Sequence, residues 1–141
     1  MPATFETSRI RFQYPDNWTL EEQEVRGDDR AVTVTSPGGA FWSVAAHPAG
    51  VPPRPLADEA LRAMQQEYQE VEYEPVSESV AGCEMVGYDL NFYYLDLTST
   101  ARVRCFRRVD AVYAVFYQAE DRDFDRLDPV FQAITASLAG R

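Results

Sequence analysis

Hydrophobic positions recur along this chain at two spacings, every second residue or every third and fourth, and the alternation between them marks out its strands and helices. Over residues 111–118, Val112, Ala114 and Phe116 alternate with Tyr113, Val115 and Tyr117, so both faces of the run are apolar or aromatic. A strand wetted on one side alternates apolar with polar, whereas one covered on both sides reads as nearly continuous hydrophobicity. The pattern predicts a central strand between two layers. Residues 101–109 alternate more cleanly, with Val103 and Cys105 on one face and Arg102, Arg104 and Phe106 on the other. The Val109-Asp110 step between the two runs suits a hairpin, although the Asn-Gly or Asp-Gly signature of a primed turn is missing.

After these strands the spacing changes to that of a helix. Phe124, Leu127, Val130, Phe131, Ile134 and Leu138 form one stripe. Asp121, Asp123 and Asp125 put negative charge where the helix dipole favours it. Pro129 is costly inside a helix, by about 3 kcal/mol. Asp128-Pro129 therefore reads as a cap followed by the first helical position, giving a short turn at 123–127 and a main helix at 129–138, stopped by Gly140.

The earlier residues lie beside that unit. Residues 9–14 alternate as a half-buried strand, Pro15-Asp16-Asn17 turns, and Trp18 follows as an apolar anchor. Residues 20–26 make at best an edge strand and Gly27-Asp28-Asp29 a turn, and residues 31–35 and 40–46 pair across Ser36-Pro37-Gly38-Gly39. A proline-rich loop over 47–55 leads to a helix over 56–71, striped by Ala57, Ala60, Leu61, Met64, Tyr68 and Val71. Residues 71–80 form a strand with one wet face, Ala81-Gly82 turns, and 85–97 is a long strand, bulged near Gly87, joined to the next through Thr98-Ser99-Thr100. Four strands, a helix, four strands and a helix predict an α+β domain spanning residues 1–141. Its antiparallel β-sheet has about six to eight strands, flanked by helices on both faces.

Composition narrows the function classes. The chain has 141 residues, 45% hydrophobic, enough for one domain with a true core. Its net charge of −10 argues against nucleic acid and against an anionic membrane surface as partners. Every basic residue is arginine, a uniformity that a biased codon composition accounts for. Cys83 and Cys105 make neither a disulfide scaffold nor a redox pair and read as small buried hydrophobes, although a bridge between neighbouring segments is geometrically open. The start, Met1 to Phe5, has no basic residue and no apolar stretch, so no secretory signal is expected, and a cytoplasmic location is the default.

Phe12-Gln13-Tyr14-Pro15-Asp16-Asn17-Trp18 resembles the F-x-Y-P-x-x-W opening of the PsbP-like superfamily. The closing stretch over 113–118, then Phe124, Phe131, Ile134 and Ser137-Leu138, resembles the ending of that group: a strand, an acidic turn and an F-x-x-I-x-x-S-hydrophobic helix. The superfamily includes photosystem extrinsic proteins, a Ran-binding import factor and bacterial adaptors. The resemblance implies an antiparallel sheet with helices on both faces and proteins that mostly bind other proteins. It carries no catalytic set.

Candidate chemistry is sparse. His47, the sole histidine, has no visible partners for base or metal work. The D-x-D-x-D spacing of Asp121, Asp123 and Asp125 lacks the glycine and glutamate of a calcium loop, since Arg126 and Gln132 stand there. No nucleophile motif or phosphate loop occurs, so neither enzyme activity nor a cofactor is expected. The most informative surface is one face of the C-terminal strands. If short turns set the register, Tyr93 lies opposite Arg104, Phe106 opposite Tyr113 and Arg102 opposite Tyr117, all pointing one way. Arginine mixed with aromatic rings is the composition of interface anchors, and equally of a face whose rings and arginine stems pack beneath a helix. The first alternative predicts a non-catalytic protein-binding module, a homodimer included. Beside it stand an adaptor shielding apolar helices of a secreted client, which needs a large apolar groove, and a small-ligand-binding protein, which needs an enclosed pocket.

Overall fold

The computed structural model describes residues 2–24 and 30–140. Nine strands and two helices are present among them. A hairpin of β1 (Pro2–Glu6) and β2 (Arg11–Pro15) stands apart from the main sheet. The strands β3 (Thr19–Glu24), β4 (Arg30–Thr35) and β5 (Phe41–His47) precede helix α1 (Pro53–Glu67). They are followed by β6 (Glu72–Val80), β7 (Cys83–Tyr94), β8 (Leu97–Arg107), β9 (Val112–Glu120) and helix α2 (Asp121–Ala139). Seven strands form one antiparallel sheet in the order β3-β4-β5-β9-β8-β7-β6. The tyrosine-rich β9 is the fourth of the seven, the central place that its two apolar faces demand.

Each face of the sheet carries one helix. On one side, Phe124, Leu127, Phe131, Ile134 and Leu138 of α2 pack with Trp42, Val44, Phe106, Tyr113, Val115 and Tyr117. The β1–β2 hairpin closes this layer with Ile10 and Phe12. Tyr113 donates from its hydroxyl to the Arg9 carbonyl, and the Trp42 indole N–H donates to Thr135 Oγ1 at 2.9 Å. On the other side, Ala57 and Leu61 of α1 cover Leu90, Phe92, Ala101, Val103 and Cys105. Cys83 and Cys105 are both buried free thiols, and they belong to cores on opposite faces, so the sheet itself keeps them apart.

Several expectations are corrected. Helix α2 is continuous through Pro129, because its buried stripe from Phe124 to Leu138 holds the proline-containing turn against the sheet. Residues Thr98, Ser99 and Thr100 are not a connection but part of β8. The β7–β8 turn lies instead at Leu95-Asp96, both with positive φ (52° and 63°), the conformation of a type I′ hairpin. Pairing through Gly87 is continuous, without a bulge. Pro2–Glu6 adds a strand where none is expected, and α1 runs Pro53–Glu67, starting and ending earlier than expected, so that Tyr68 caps it and Val71 lies beyond it. The turn assigned to Gly27-Asp28-Asp29 lies outside the described residues.

Candidate functional site

Helix α2 covers only part of the face predicted to bind a partner. Phe106 lies opposite Tyr113 and Arg102 opposite Tyr117, as the turn spacing implies. Phe106, Tyr113, Tyr117 and Arg104 are all buried and offer nothing to a partner. Large rings beside apolar helix residues lose more by staying wet than a tight packing arrangement costs. Tyr93 is the exception. It pairs with Thr98, six residues before Arg104, because the true turn precedes the expected one. An even offset preserves the face, so Tyr93 still points the same way but beyond the N-terminus of α2, 64% exposed.

Under the helix, the arginines form an ion network. Arg104 Nε donates to Glu78 Oε1 at 2.7 Å and its NH2 to Asp89 Oδ1 at 2.7 Å. Its NH1 donates to the carbonyls of Val103 (3.0 Å) and Tyr88 (3.3 Å). Arg102 NH1 reaches both carboxylate oxygens of Asp128 on α2, at 3.1 and 3.2 Å, with its guanidinium over the Phe124 ring. Arg102 also lies 3.6 Å from Asp89, so one carboxylate joins both arginines. Burial works against the Arg104 charge, yet the hydrogen bonds to Glu78 and Asp89 outweigh it and hold its pKa up. Burial likewise pushes the Tyr117 hydroxyl up, against the opposing pull of Arg104 and Arg102. The network ties α2 through β8 and β7 to the edge strand β6. Its role is to fix the layers together.

Beyond the start of α2, the same face is uncovered. Asn91 pairs with both Glu72 and Thr100, and Tyr93 with Thr98, so these side chains share it. Asn91 Nδ2 donates to Thr100 Oγ1 at 2.9 Å, and Thr100 donates to Asp121 Oδ1 at 2.6 Å. A cleft of about 490 Å³ opens here, lined by Glu70, Val71, Glu72, Tyr93, Thr98 and Asp121 among others. Beside it the hairpin tip exposes Tyr94 and Leu97 on either side of Leu95, which is 77% exposed. Sequence reading missed this tip, because Leu95-Asp96 has no turn signature while Thr98-Ser99-Thr100 has one.

The remaining candidates carry less. A second, open groove of about 440 Å³ runs between β2 and α2, lined by Pro2, Tyr14, Pro15, Pro129, Val130 and Ile134. His47 ends β5 and lines neither cleft. Asp121 and Asp123 sit in the first turn of α2, and Asp123 pairs with Arg126 at 3.4 Å. Among the described residues, no group of three or more His, Cys, Asp or Glu could hold a metal ion, and no helix is long and apolar enough to cross a membrane.

No protein-family model matches the chain, and no curated protein matches it. Solved structures do. The solution structure of cyanobacterial PsbP from Synechocystis is similar at a TM-score of 0.64 and 11% identity, covering 96% of this chain and 90% of that one. A Pseudomonas aeruginosa protein of unknown function is similar at 0.53 and 14% identity, covering 99% and 97%. LpqN of Mycobacterium tuberculosis, described as involved in cell envelope biogenesis, is similar at 0.50 and 13% identity, covering 95% and 86%. With its seven-stranded antiparallel sheet between two helices and these neighbours, the chain has the PsbP-like fold.

Proposed function

We propose that this protein is a non-catalytic binding module for another protein, and that it docks through the β7–β8 hairpin tip and the uncovered end of the sheet. The supporting observation is the run of exposed Tyr93, Tyr94, Leu95 and Leu97 around a turn whose leucine is held at positive φ. Exposed apolar side chains in one cluster mark interaction sites, and backbone strain collects where function requires a particular shape. The arginine network links β7 and β8 below the tip.

Isolation of the native complex under mild salt tests this reading. A protein partner that stays bound to the wild type, and is lost from a Tyr93→Ala, Leu95→Asn double variant, is the expected outcome. A strictly monomeric, partner-free protein overturns it. The groove between β2 and α2 favours a second reading, an adaptor covering an apolar segment of its client. In that case Val130→Asp, and not the tip variant, releases the partner.

A further inference from the structure

We propose that the cleft beside Tyr93 receives an arginine or lysine side chain from an amphipathic segment of the partner, whose apolar residues lie on the hairpin tip; this rests on the protein-binding reading above. Glu70, Glu72 and Asp121 line the cleft, and no basic side chain does. Among the described residues, ion pairs engage Glu6, Glu78, Asp89, Glu120, Asp123 and Asp128, and Glu70, Glu72 and Asp121 enter none of them. Asp121 is not loose. The Asn91–Thr100 hydrogen-bond chain holds one of its oxygens and orients the carboxylate on the cleft wall.

Val71, Phe92 and the Tyr93 ring supply the apolar part of the lining. An exposed tyrosine next to carboxylates suits a cation with an aliphatic stem, because the ring attracts the charge and the stem covers apolar surface. The tip then provides Leu95 at its apex for the partner's neighbouring apolar residues, while Tyr94 and Leu97 turn to the opposite face, where Tyr94 meets the Tyr68 ring. Charge complementarity sets the choice of occupant. A second copy of this chain would bring its own net charge of −10 to an acidic rim, and like charges in contact oppose association.

Binding of synthetic amphipathic helices to the intact protein, followed by calorimetry at low and high salt, tests the inference. The probes share a leucine face and differ only in carrying arginine, lysine, glutamine or glutamate opposite it. The arginine and lysine helices are expected to bind at low salt, with the glutamate helix at least tenfold weaker. A Glu70→Gln, Glu72→Gln variant, altered only at exposed positions, is expected to lose roughly tenfold at low salt and little at high salt. Tyr93→Ala is expected to lose affinity at both. Equal binding of the glutamine and arginine helices, still lost on Tyr93→Ala, overturns the cation site while leaving the docking surface standing. Failure of every helix to bind also overturns it, and the native-complex experiment then decides the wider reading separately.

Discussion

The carbonyl oxygen of Val103 stands 1.7 Å from the point where a Cβ on Gly87 would lie. Gly87 pairs directly with Arg104, whose guanidinium bonds the Val103 and Tyr88 carbonyls flanking that pair. The missing side chain therefore lets β7 and β8 approach closely just where the buried cation needs backbone acceptors.

Gly87→Ala cannot be absorbed by a side-chain rotation, because the obstacle is backbone. One of the two strands must move, disturbing the Arg104 bonds with it. The expected loss is above roughly 3 kcal/mol, at the high end of single substitutions. Urea unfolding measures it, and a loss under about 1 kcal/mol would contradict the close approach.

Arg104 itself is expected to resist conservative change. Lysine keeps the charge but lacks the fork that serves Glu78 and Asp89 together. Arg104→Lys should cost roughly 2–3 kcal/mol, reduced from the fully buried case because both carboxylates keep contact with water. Arg104→Met removes the charge, keeps the stem volume and leaves Asp89 beside Arg102. It should cost less than lysine. Thermal unfolding of the pair checks the order, and full stability in the lysine variant would show that the fork geometry is dispensable.

The sequence announces some of these relations and hides others. The register of β8 on β9 follows from a short connection, so the Phe106–Tyr113 and Arg102–Tyr117 pairs are legible in advance. The helix stripes are legible from periodicity, which a buried face explains, although that periodicity carries the α1 stripe past the true helix end to Val71. Whether the arginine–aromatic face is open or covered depends on where α2 lies, which no local pattern fixes. The Arg104 network is hidden because it joins residues from three strands, and Asp89 and Glu78 meet it only once two registers are known. The turn at Leu95-Asp96 is hidden because its residues contradict its backbone.

That contradiction is testable. A leucine in the left-handed region costs roughly 1 kcal/mol relative to asparagine or glycine. Leu95→Asn with Asp96→Gly installs the residues that a type I′ turn prefers and is expected to raise stability by about 1–2 kcal/mol, some 3–6 °C in Tm. Removal of the apolar apex should at the same time weaken partner binding. Stability rising while binding falls is the signature of a strained tip kept for recognition. A variant that is no more stable than the wild type would remove strain from the account.

Alkaline pH probes the α1 side of the sheet. Cys105 is fully buried, and burial first, then Asp58, pushes its thiol from an ordinary value of 9.0 up to about 12. The native state thus holds the thiol proton more tightly than the unfolded chain does. Its contribution is present in full below pH 9 and is lost as pH rises towards 12, because the unfolded thiol ionises first. From about pH 8 to about pH 10 this group alone should remove about 1.4 kcal/mol of stability. Burial raises the Cys83 thiol as well, so the wild type carries a second contribution of the same sign. Comparison with Cys105→Ala isolates the first: the variant starts less stable, having lost packing, but should decline less over this interval by that amount. Urea unfolding at the two pH values measures both slopes. Parallel slopes would mean that the thiol reaches water in the native state, and that α1 does not seal the sheet above it.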